Sequence, residues 1–186
     1  MAILYHGSSV GGLSALCPAL SEHGKPYVYV SPNPVVAAFY TVHCVERPYN
    51  WFPYGLENGL PVYPEYYPNA LADVYSGQRG YLYRCEDPGT LENPTDISLA
   101  LVCQEPLPVS GVEEIPDMYT WFLHQQQAGT LRIIPFSQLS EKQLAYRDRM
   151  VREEISLHHL KDHPETSYAR FLRSRFPSLW ESKSFC

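Results

Sequence analysis

The sequence predicts an α+β fold. Short runs of alternating β-branched and aromatic residues recur along the first three quarters, each closed by Gly or Pro. Between them lie only short helical patterns, too short for regular βαβ crossovers. From Ser140 the composition shifts to a charged, amphipathic pattern of helical period. The 186 residues suit one domain with an appendage, and 45% hydrophobic against 18% charged residues supports a packed core.

Ala2–Tyr5 is an apolar run ending at Gly7, hence a strand, and Gly11, Gly12 and Pro18 mark the loop that follows. Tyr27–Ser31 alternates aromatic and β-branched residues, a second strand. Asn33 can cap a helix over Pro34–Thr41, with Pro34 in its first turn. Residues 46–69 show neither period and are dense in aromatics, which predicts a long ordered loop. Asn69–Tyr75 is a short helix stopped by Gly77, and Gly80–Cys85 is a strand. Ile97–Cys103 is apolar enough for a central strand, and Leu107–Val112 continues it after a bend at Pro106 and Pro108. Ile115–Gln127 reads as a helix ending at Gly129, and Leu131–Pro135 as a strand. Ser140 and Gln143 fit a capping box opening a helix to about Leu160, and Glu165–Arg175 forms another. The expected organisation is a core over residues 1–136 and a helical extension over 137–186 packed on the same domain.

The formal net charge of −6 disfavours general nucleic-acid binding, which needs a basic surface. No run of about 18 apolar residues occurs, so no membrane span is expected. Five cysteines, none in a CxxC pair, and an N-terminus without a signal-peptide pattern read as reduced thiols in a cytoplasmic protein. His159 and His163 lie four apart but lack a second ligand pair, so no metal is expected. Ser8 and Ser9 beside His6 form no triad, and Gly11-Gly12 lacks the Lys of a phosphate loop.

One constellation points to a chemistry. A strand ends in Tyr5-His6-Gly7-Ser8, a later strand carries Tyr29 within Val28-Tyr29-Val30-Ser31, and Tyr40 follows Tyr29 by eleven residues. That order resembles the NAD site of ADP-ribosyltransferases, in particular the catalytic domain of poly-ADP-ribose polymerases. The stretches Tyr81–Gly89, Asn93-Pro94-Thr95-Asp96 and Gln104–Val112 resemble the rifampin ADP-ribosyltransferases. The likeness covers roughly residues 3–115 and rests on order and spacing of short motifs.

The resemblance implies a split antiparallel β-sheet core and NAD as substrate. It implies that His6 holds the ribose, that Gly7 and Ser8 line the same strand end, with Gly7 on the carboxamide, and that Tyr29 and Tyr40 flank the nicotinamide. Asp96 would take the carboxylate role, since Ser98 stands where the polymerases have their Glu; Glu105 and Glu113 are the other carboxylates nearby. Ala37 replaces the Ser that polymerases aim at the carboxamide. Cleaving NAD expels neutral nicotinamide and develops positive charge on the ribose, so holding and electrostatic stabilisation matter more than acid catalysis. The expected activity is mono-ADP-ribosyl transfer, not polymer formation, to a small molecule or macromolecule. Two other readings are a non-catalytic NAD or ADP-ribose-binding module, and an interaction protein whose helical tail docks a partner or a second copy as a homodimer. Taken singly, His6, Tyr29 and Tyr40 are ordinary core or helix-face residues.

Overall fold

A computed structural model of the chain describes residues 2–20, 25–41, 55–94 and 99–182. It is a mixed α+β chain with several antiparallel sheets and, among the described residues, six α-helices. In chain order the strands are β1 (Ile3–Ser8), β2 (Ala15–Leu16), β3 (Ala19–Leu20), β4 (Pro26–Val30), β5 (Gly55–Glu57), β6 (Leu60–Pro64), β7 (Gly80–Glu86), β8 (Leu101–Cys103), β9 (Leu107–Pro108), β10 (Gly111–Ile115) and β11 (Arg132–Ile134). The helices are α1 (Pro34–Ala38), α2 (Ala70–Tyr75), α3 (Met118–Gln127), α4 (Glu141–Leu157), α5 (Ser167–Arg175) and α6 (Pro177–Glu181). Two compact units form. Of the described residues, the first holds those up to 41, 55–62 and 72–132, and the second holds 63–71 and those from 133 onward.

In the first unit, one antiparallel sheet runs β1-β7-β10 and a second runs β3-β4-β8. The register of the first sheet places His6, Tyr83 and Val112 in one cross-strand row, and Gly7, Leu82 and Glu113 in the next. Successive side chains alternate faces, so the two rows point to opposite sides. On the His6 side, Leu4, Tyr83 and Cys85 pack with Val28, Val30 and Cys103 of the second sheet and with Leu16 and Leu107. On the Gly7 side lies α1. Its short apolar run, Val35 to Ala38, is wholly buried, and Asn33 caps it by accepting from the Val35 and Val36 amides at 2.9 and 3.2 Å. Phe39 then stacks on Phe122 of α3 at 5.0 Å, and the Tyr75 hydroxyl donates to the Phe39 carbonyl at 2.7 Å. The end of α1 is thus tied to two other helical segments.

Three expectations change. Residues 46–69 are not one irregular loop: β5 and β6 form a hairpin within them, and residues 42–54 lie outside the described residues. Asn58 and Gly59 at its tip both have positive φ, 53° and 82°. That is the two-residue turn whose twist matches antiparallel strands. Ile115 belongs to β10 rather than to a helix, because Asp117 sets the helix start by accepting from the Thr120 amide at 2.7 Å. The strand expected from Ile97 is described only as Leu101–Cys103, preceded by Leu99 at φ 70°, and Leu107–Val112 does not continue it, since β9 pairs with β2 and β10 with β7; residues 95–98 lie outside the described residues.

In the second unit, α4 opens with the capping box of Ser140 and Gln143, and Thr166 caps α5 through the Ala169 amide at 3.2 Å. The core joins Val151 and Ile155 of α4, Leu160, Ala169, Phe171 and Leu172 of α5, and Phe176 and Leu179. Tyr67 meets Phe171 and Phe176 edge-on at 5.8 and 5.9 Å. The short α6 was not expected; Pro177 in its first turn is the signal that marks it.

Candidate functional site

The site grows from how two strands stop pairing. Tyr5 and Ser31 exchange both backbone hydrogen bonds, at 2.8 and 2.9 Å, and so join β1 to the chain leaving β4. An antiparallel ladder continued from there would next pair Gly7 with Tyr29. It does not: the isolated bridge at Tyr5 and Ser31 stands alone. The Tyr29 carbonyl is instead taken by the His6 side chain, whose Nδ1 lies 2.7 Å away. The sheets therefore part at Gly7, and the imidazole fills the place of a backbone bond.

Residues two apart on a strand aim their amide and carbonyl to the same side. Tyr5 bonds toward β4, so the Gly7 N–H and C=O face the same way, beyond the last pair. No backbone partner for them on that side occurs among the described residues.

A carbonyl only accepts, so Nδ1 of His6 carries the proton. Burial pushes the imidazole below its ordinary range, partly opposed by the bond to Tyr29. The ring is then neutral at pH 7, and Nε2 is an acceptor without a hydrogen-bond partner among the described residues. The His6 ring lies tilted against Tyr83 at 6.5 Å. Tyr83 is buried, and its hydroxyl donates to the Val10 carbonyl at 2.8 Å and accepts from the Leu13 amide at 3.2 Å. One phenol thus fixes the loop after β1 over the His6 face. Gly11 completes that fit, since a Cβ there would come within 2.6 Å of the Tyr81 ring. Ser8 stays local: its hydroxyl accepts from the Val10 amide at 3.0 Å.

Tyr29 is half-buried on β4, edge-on to Tyr27 at 6.3 Å. Tyr40 lies in the turn just past α1, its amide bonded to the Ala37 carbonyl at 3.1 Å. That same carbonyl presses on Gly7: a Cβ there would sit 2.0 Å from it and 3.1 Å from the Thr41 amide. So His6, Gly7 and Tyr29 meet at the parting of the sheets, and Tyr40 sits between two residues that touch Gly7. Ala37 is buried in α1.

Asp96 and Ser98 lie outside the described residues. Glu113 shares the Gly7 row, on the face opposite His6, and accepts from the Trp121 indole at 3.1 Å. Glu105 is exposed, its amide against the Cys103 sulfur at 3.3 Å. Tyr83 lies within the Tyr81–Gly89 stretch and Ser31 ends the Val28-Tyr29-Val30-Ser31 motif, but nothing in the sequence marks the hydroxyl role of the one or the backbone role of the other.

Among the described residues, Cys17, Cys85 and Cys103 are free thiols; burial pushes Cys85 up to about 11, so it is no nucleophile at neutral pH. His159 faces Asp162 at 3.8 Å and His163 faces Glu165 at 3.6 Å. No group of three or more His, Cys, Asp or Glu among the described residues is placed to hold a metal ion. No described helix is long and apolar enough to cross a membrane. The chain has no significant match to a protein-family model, to a curated protein or to a solved structure.

Proposed function

We propose that the chain binds NAD where the two sheets part and transfers its ADP-ribosyl group, once per site, to a small molecule or macromolecule. The fold would then be the split antiparallel sheet of the ADP-ribosyltransferase type. The observation that carries this reading is the replacement of the expected Gly7–Tyr29 backbone pair by the His6 bond to the Tyr29 carbonyl. Three groups around that bond would complement NAD. A primary carboxamide offers a donor and an acceptor side by side, which suits the Gly7 N–H and C=O. A ribose hydroxyl can donate to the neutral Nε2 of His6. Tyr29 and Tyr40, on β4 and just past α1, are the aromatic groups for the nicotinamide ring.

Cleavage breaks the bond between ribose C1′ and the pyridinium nitrogen. The electron pair leaves with nicotinamide, and the acceptor oxygen or nitrogen closes on C1′ with loss of a proton. His6 and Gly7 act by positioning. Asp96 is the carboxylate proposed to stabilise the cationic ribose. The test is nicotinamide release from NAD, with His6→Ala and Tyr29→Ala beside the wild type. Loss in both variants, with the wild type active, supports the assignment; release that persists in both rules it out.

A second reading is a module that binds NAD or ADP-ribose without turnover. It is favoured by Glu113, the carboxylate of the Gly7 row, which lies on the face opposite His6 and is engaged by the Trp121 indole. It predicts stabilisation of about 2.7 kcal/mol at a hundredfold ligand excess over Kd, with no nicotinamide released.

A further inference from the structure

The second unit holds a cleft of about 260 Å³ between α4, the turn after it and the end of α6. At about 30 Å³ per water, that is room for roughly nine waters or one small metabolite. Its floor is apolar: Ile155 and Leu179 belong to the core and are 6% and 8% exposed. Its rim carries two cations, Arg152 and Lys161, with Ser156 and Glu153.

The charges around this cleft are unevenly matched. Along α4, Arg147 pairs with Asp148, and Arg149 reaches Glu153 at 3.8 Å. Arg152 has Asp148 four residues before it, already engaged by Arg147, and Ser156 four residues after it. Among the described residues it has no acidic partner and bonds no carbonyl. Lys161 donates to the Ser182 carbonyl at 3.0 Å, which fixes the ammonium across the cleft and uses one of its three donors without neutralising it. The ends of α4 and α6 each contribute about half a negative charge, which accounts for Lys161 on a terminal carbonyl. It does not account for Arg152, which caps nothing. Glu153 on the same rim is engaged by Arg149 at 3.8 Å, so Arg152 is the rim charge left without an opposite partner among the described residues.

We propose that this cleft binds a small metabolite carrying one oxyanion group, carboxylate or phosphate, on a short apolar stem. The Arg152 fork takes the oxyanion, Lys161 adds a second positive charge, and the stem lies on Ile155 and Leu179. This site is independent of the NAD reading.

The test titrates inorganic phosphate and, separately, butyrate into the full chain at constant ionic strength, followed by backbone amide NMR. The two probes separate a phosphate site from a carboxylate site. We expect saturable shifts confined to residues 152–161 and 179–182 with at least one probe, weakened about tenfold or more in Arg152→Gln, as loss of a charge-assisted bond implies. Lys161→Gln should weaken the same probe. Shifts that never saturate with either probe, or that are the same in Arg152→Gln, overturn the proposal. Because Arg152 is exposed, its variant should keep the wild-type spectrum elsewhere.

Discussion

Gly7→Ala should be among the most damaging single-methyl additions in the first unit. The new Cβ would sit 2.0 Å from the Ala37 carbonyl oxygen, about 1.4 Å short of the 3.4 Å at which ordinary contact begins. Both partners are backbone, so no rotamer change relieves the clash; α1 must move off β1. That helix end is anchored by the Tyr75 bond to the Phe39 carbonyl and by the Phe39–Phe122 stack. Overpacking of this kind costs about 3 kcal/mol, the upper part of the usual range. For a chain of this size the melting temperature should fall by roughly 6–12 °C. Gly55→Ala is the control: its Cβ meets nothing within 4 Å and its φ is not in the left-handed region, so it should be neutral or gain about 0.4–1 kcal/mol. The assay is thermal unfolding by far-ultraviolet circular dichroism of both variants and wild type. A Gly7→Ala protein that melts with the wild type would refute the packing of α1 on β1.

Asp117 joins two segments by accepting from the Thr120 amide and, at 2.6 Å, from the Gly77 amide; Asp117→Ala should lose about 1–2 kcal/mol as a lost helix cap. The Thr120 bond holds its carboxyl below the ordinary 3.8 against the opposing effect of burial, and the Gly77 bond adds a smaller lowering. Its folded pKa is depressed, so this stability is fully present above 3.8 and disappears as pH falls through the folded value. Urea midpoints of wild type and variant should therefore converge only in acid, and a gap that narrows near pH 7 would contradict the assignment. For His6 the folded pKa is also depressed, from 6.5, so its stabilisation is present above 6.5 and is lost as pH drops toward the folded value. Ring nitrogen NMR at pH 6.5 should show mainly the neutral ring with the proton on Nδ1; a ring titrating at or above 6.5 would exclude the buried geometry.

Local chemistry made much of the fold legible. Asn33-Pro34, Ser140 with Gln143, and Gly77 and Gly129 each mark a helix end through a backbone need that few residues meet. The Asn58-Gly59 pair is as strong a local signal for a hairpin, but the flanking Tyr and Pro residues mask strand alternation there. Ile115 is ambiguous for a different reason. Its apolar character fits a strand and a helix start equally, and only the Asp117 cap separates them. At the candidate site, sequence could nominate His6, Gly7, Tyr29 and Tyr40 by spacing. It could not show that the β1–β4 ladder ends after one bridge, since that depends on where two distant strands diverge. Nor could it reveal that Tyr83 carries the loop over His6, a contact spanning 73 residues.

If a ligand binds where proposed, the bond between His6 and the Tyr29 carbonyl has a consequence for its selection. A backbone oxygen cannot reverse its polarity, so the imidazole is locked in one sense and Nε2 keeps a lone pair alone. A molecule entering there is judged by whether it brings a hydrogen to share. An alcohol or amide satisfies that demand, whereas an ether, a ketone or a deoxygenated sugar at the same spot strips the nitrogen of water and returns nothing. On that reading, the strand geometry that parts the sheets would set a filter on what can settle between them.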